Sequence, residues 1–192
     1  MICLFITQMK KNVSYLILIA LIAFQCKKPD SASQLPPITT TGANTFGCLV
    51  NGNVWLPYYE GWSTQINALA ITAETKNYAF NEVQIFAADT KQSENSRLYL
   101  TIDGIKDTGY YHISNYLNEG MVFFSTDNEQ FEPFDTFGLV HIIKCDTINK
   151  IISGTFSFIG YTDPNHTIAK TASITDGRFD MHYPLIMHFK TN

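Results

Sequence analysis

The sequence predicts an all-β chain folded as an antiparallel β-sandwich, with a barrel-like closure as the alternative. Three observations carry that expectation. Beyond residue 45, apolar and polar residues alternate with a period of two. Turn residues interrupt the alternating runs at short intervals. No window of a dozen residues shows helical periodicity. Composition agrees. Aromatic residues make up 14% of the 192 residues and charged residues only 16%. Many polar positions are Thr, Ser or Asn, which suit strands and turns.

The chain opens with a segment of a different kind. Residues 15–24 form an unbroken apolar run directly after Lys10-Lys11-Asn12. A membrane-spanning helix needs ~20 apolar residues, and this run is about half as long. With its basic flank it reads as the hydrophobic region of an export signal covering residues 1–25, for which Met9-Lys10-Lys11 makes a better start than Met1. Cys26 ends the run and Lys27-Lys28-Pro29-Asp30 follows, the arrangement of a lipidated cysteine that becomes a new N-terminus. Phe24 and Gln25 stand where small residues are usual before such a site. Residues 26–45 are rich in Pro, Ser and Thr and read as a flexible tether. The expected partner is therefore a membrane, reached through the lipid, and the expected location is the cell envelope at the outer membrane. Removing residues 1–25 takes away Lys10 and Lys11 and moves the formal charge from −4 to −6. An acidic mature protein without a Lys/Arg cluster argues against nucleic acid as a partner.

A single domain is expected over residues 46–192. Phe46, Cys48 and Val50 share one face of its first strand, and Asn51-Gly52 marks a hairpin, because both central positions of that turn need positive φ. Asn53–Pro57 returns as the partner. Further strands are expected at residues 68–73, 81–88, 97–103, 110–113, 121–126, 137–146, 150–162, 169–175, 178–182 and 185–189. Leu98, Leu100 and Ile102 point one way, and Ile152, Phe156 and Phe158 line one face of a strand in which Ser153-Gly154 suggests a bulge. Asp176-Gly177 is a second hairpin signal. The run Val140-His141-Ile142-Ile143 is apolar on both faces, which favours a central strand.

Three stretches stand out together: Phe46 to Pro57 opening the domain, Ile151 to Phe158 late in it, and Ile174 to Asp180 near its end. With the short signal, the Cys-Lys-Lys at 26–28 and the polar tether, the chain resembles a family of small lipoproteins of unknown function from the Bacteroidota. That resemblance implies an envelope location and a β-rich fold, and carries no catalytic residues.

The residues offer few chemical signatures. The stretch from Trp55 to Trp62 holds both tryptophans, with Tyr58, Tyr59 and Glu60 between them. Trp55, Tyr58, Tyr59 and Trp62 make either a stacking platform for sugar rings or a protein contact, or else a cap on an open end of the sandwich. Cys48 and Cys145 point inward by parity, Cys145 on the face of Leu139, His141 and Ile143, so they are either bridged or two separate buried thiols. The segment 127–135 carries four carboxylates and lacks calcium-loop spacing, so it reads as a solvated loop. No nucleophile elbow, zinc-binding helix or phosphate loop is present, and no metal or cofactor is expected. The function expected is a non-catalytic binding or adaptor module for a glycan or an envelope protein. The alternatives are a structural component of the envelope, and a glycoside-acting enzyme using two of Glu60, Glu129, Glu132 and Asp135.

Overall fold

The computed structural model describes residues 31–58, 69–76, 79–90, 95–114, 120–134, 138–163, 165 and 169–183. Two antiparallel sheets pack face to face as a sandwich, and neither closes into a barrel. The strands are β1 (Thr45–Val50), β2 (Asn53–Trp55), β3 (Leu69–Lys76), β4 (Ala79–Asp89), β5 (Ser96–Asp103), β6 (Gly109–Ile113), β7 (Val122–Thr126), β8 (Gln130–Phe131), β9 (Gly138–Asp146), β10 (Ile151–Tyr161) and β11 (Thr171–His182). The first sheet runs β2-β1-β11-β10-β9-β6 and the second β3-β4-β5-β7-β8.

Period-two patterning places the core as expected. Leu98, Leu100 and Ile102 are fully buried from the second sheet, and Phe46, Cys48, Ile152, Phe156 and Phe158 meet them from the first. Asn51 and Gly52 take φ of 50° and 76° between β1 and β2, so the Asn-Gly turn forms where the sequence puts it.

Asp176-Gly177 does not make a hairpin. Residues 171–182 form one strand, β11, bonded to β1 on one side and β10 on the other. Asp176 does adopt a positive φ of 51°. The register shifts there against both neighbours, so the dipeptide is a bulge in a central strand. A turn signal records only a local φ preference. Here long-range pairing on both sides of the strand outweighs chain reversal.

A second bulge corrects the parity of β9. Ser153 pairs with Lys144 and Gly154 with Ile142, which leaves Ile143 as an extra residue on β9. Before it, Val140 and Ile142 are buried, while Leu139 and His141 face outward. Beyond it the parity reverses and Cys145 packs partly against the core. The expected inward face of Leu139, His141 and Ile143 is thus overturned, and His141 lies half-buried on the outer surface. A Cβ at Gly154 would stand 2.5 Å from the His141 carbonyl oxygen and 2.8 Å from the Phe179 ring, so glycine permits this close approach.

The Cys48–Cys145 bridge is excluded by topology. Cys48 lies on β1 and Cys145 on β9, with β11 and β10 between them. Three strand spacings of ~4.8 Å separate them by roughly 14 Å, twice what a disulfide spans. Both thiols are free. Burial pushes the Cys48 thiol up to about 12. Burial, with the charges of Asp107 and Asp146, takes Cys145 to about 11.

The expected tether is also corrected over part of its length. Residues 31–44 lie on the domain as a strap across the outer face of β1 and β11. Ser31–Gln34 form a 3-10 turn, and Leu35 is 6% exposed against that face. Gly47 lets the strap sit close, since a Cβ there would meet Pro36 at 3.1 Å. The strap is held by Asp180, a carboxylate 1% exposed on β11. It accepts bonds from Thr39 Oγ1 (2.6 Å), Thr41 N (3.0 Å), Thr41 Oγ1 (3.3 Å), Gly42 N (2.8 Å) and Ala43 N (3.2 Å), and from Ser153 Oγ of β10 (2.7 Å). Burial alone would raise this carboxyl. The bonds from Thr39, Ser153, Gly42 and Thr41 outweigh burial and hold it well below the usual carboxylate range.

Candidate functional site

The four aromatic residues singled out in the sequence do not form a described platform. Trp55 is 3% exposed. Its Nε1 donates to Ser96 Oγ at 2.8 Å, and its ring meets Phe46 and Phe124 edge-on at 6.2 Å each. Satisfying the indole N–H with a neighbouring hydroxyl lets the ring sit in the core, so Trp55 ties the two sheets together and is almost wholly buried. Tyr58 is 41% exposed, and its backbone bridges to Asp89 at the end of β4. Tyr59, Trp62 and Cys26 lie outside the described residues, as do Glu60, Asp135 and the expected strand at 185–189.

The described acids of the 127–135 segment have partners. Asp127 accepts from Asn95, Glu129 pairs with Lys170, and Glu132 accepts from Gln130. Gln130 and Phe131 add a short strand, β8, that the sequence left in a loop. Among the described residues, no three His, Cys, Asp or Glu side chains gather to hold a metal ion. Ser153 and Asp180 are hydrogen-bonded, but both are buried under the strap, which makes them a structural pair.

Two concave regions stand out among the described residues. One of about 300 Å³ lies at an end of the sandwich, over Trp55 and Phe124, with Asn51, Asn53 and Thr126 lining it. The other, about 330 Å³, is a groove on the outer face of the first sheet. Strand register builds its floor. Tyr110 on β6 pairs with His141 on β9, His141 with Thr155 on β10, and Thr155 with Arg178 on β11. These four residues form one row across four strands, spanning roughly 14 Å at ~4.8 Å per strand. Tyr110 is 66% exposed and stacks flat on His141, with ring centroids 4.3 Å apart and 14° between planes. Leu139 and Ser157 flank the row, and Asp176 lines the groove at the β11 bulge. Ile38 of the strap supplies a wall.

The groove offers a flat ring face, an imidazole, two hydroxyls, a carboxylate and a guanidinium on a rigid sheet. Such a surface can stack a ring and hydrogen-bond polar substituents beside it. The sequence reading missed the row because its members lie up to 68 positions apart and meet only through register. The one local signal was the alternation of Tyr110 and His112, exposed, with Tyr111, packed on the core. No family model, curated protein or solved structure matches the chain.

Proposed function

We propose that the protein is an exported, lipid-anchored envelope protein whose β-sandwich is a non-catalytic module binding a glycan on the outer face of its first sheet. The apolar run at 15–24 and Cys26 support the anchor. The observation that carries the binding reading is Tyr110. A tyrosine 66% exposed, held flat on His141 at the edge of a polar groove, presents one ring face at little entropic cost. Thr155 and Ser157 beside it suit a polyhydroxylated ligand.

The test is binding of the wild-type chain and Tyr110→Ala to a panel of immobilised glycans. Tyr110 is exposed, so the substitution leaves the melting point nearly unchanged. At least tenfold weaker binding, about 1.4 kcal/mol, is expected for the variant. A panel without hits, or hits that Tyr110→Ala retains at full strength, overturns the reading.

A further inference from the structure

We infer that the groove selects an acidic glycan carrying uronate-type carboxylates, and that Arg178 is the residue that determines this choice; the inference rests on the glycan-binding reading of the same groove. Arg178 ends the row that begins at Tyr110. Its guanidinium is held by two backbone carbonyls. Nε donates to the Asp176 oxygen at 3.1 Å, and Nη1 donates to the Pro36 oxygen of the strap at 3.2 Å. A guanidinium has five N–H donors, so three remain without a protein partner among the described residues.

Its charge likewise meets no ion-pair partner among the described residues. Among the described residues Arg97 pairs with Asp127, Lys144 with Asp146 and Lys170 with Glu129, and no ion pair there involves Arg178. Asp180 shares its face two residues along, but is enclosed by strap donors. Asp176 offers Arg178 its backbone oxygen, while its side chain is exposed to water. An oriented guanidinium with spare N–H groups is the complement of a planar carboxylate, which it can grip with two parallel bonds. The roughly 14 Å between the two ends of the row makes the ligand an oligomer, with one ring on Tyr110 and a carboxylate at Arg178.

The experiment uses the full chain and a panel in which each acidic oligosaccharide (oligogalacturonate, alginate and glucuronate-containing oligomers) stands beside its own methyl ester and beside neutral glycans. Wild type, Arg178→Gln, Arg178→Lys and Tyr110→Ala are compared at low and moderate salt. The expected result is hits among the free acids, weakened at least tenfold by esterification and weakened by salt. Arg178→Gln should bind acid and ester alike. Arg178→Lys, which keeps the charge but not the planar fork, should retain part of the preference. Tyr110→Ala should weaken every hit. Esters or neutral glycans bound as tightly as the acids, with Tyr110→Ala still weakening them, overturn the acidic choice and leave the glycan reading standing. A panel with no hits overturns both. Arg178 also touches the strap, so a variant whose melting point falls is judged by Arg178→Lys together with the esterification contrast in wild type.

Discussion

At Asp180 one carboxylate organises a segment that sequence composition reads as loose chain. Six donors converge on its two oxygens, five of them from residues 39–43. Hydrogen bonds to a charged acceptor contribute about 1.5–3 kcal/mol each, though not additively. Because the folded carboxyl titrates below its unfolded value of ~3.9, the unfolded state binds more protons in acid and stability falls with falling pH. The contribution is complete above about pH 5 and is lost progressively as pH drops below 4. Asp180→Asn should therefore lower stability by about 3 kcal/mol at pH 7, since its amide adds N–H groups among donors. It should also flatten the loss of melting temperature between pH 5 and pH 3. Thermal melts across that range check both. A variant with wild-type acid sensitivity would show that another carboxylate controls it. None of this is visible locally: Thr39, Thr41 and Gly42 lie about 140 positions from their acceptor.

The strap is an element in its own right, although it contributes few apolar contacts. Leu35 and the Pro36 contact over Gly47 supply its packing, and the rest of its hold on the sheet is polar. It fixes Ile38 at the groove and turns the Pro36 carbonyl toward Arg178. A fragment starting at Phe46 should consequently melt below one starting at Ser31. For a loss of about 3 kcal/mol the difference is roughly 6–12 °C in a domain of this size. Equal melting points would mean that the strap adds nothing to the stability of the sandwich. Several element boundaries were legible in sequence. Residues 97–103 and 110–113 match β5 and β6 to within a residue, because alternation and turn residues coincide there. β11 was not, because Asp-Gly encodes the same positive φ in a turn and in a bulge.

Across the whole molecule, the two sheets bury a core that needs no covalent staple. Cys48 sits fully inside it, and Cys145 touches its edge from a strand three places away. Reducing agent should leave the melting curve unchanged. At pH 8 both thiols should react slowly with an alkylating reagent, Cys145 before Cys48, because the reactive thiolate is scarce at both and Cys48 is also inaccessible. Mass spectrometry of the alkylated native protein, with and without denaturant, reads this directly. A peptide pair linking Cys48 to Cys145 would contradict the strand order.

The sequence by itself determined the fold class, most strand positions, the inward faces of β1, β5 and β10, and the Asn51-Gly52 hairpin. These follow from local alternation and local φ preference, which a chain carries in any context. It also carries the apolar run at 15–24 and Cys26, on which the proposed export and lipid anchor rest. Only the tertiary structure decided that Trp55 belongs to the core, that Asp176-Gly177 bulges inside a strand, and that Cys48 and Cys145 are apart. The proposed binding face likewise takes shape only in three dimensions. Tyr110, His141, Thr155 and Arg178 become neighbours through the pairing of four strands, and Asp180 meets its donors only once the strap is laid down. Register and strand order are properties of the assembled sheet, set by which faces can be buried together, and no short stretch of residues encodes them.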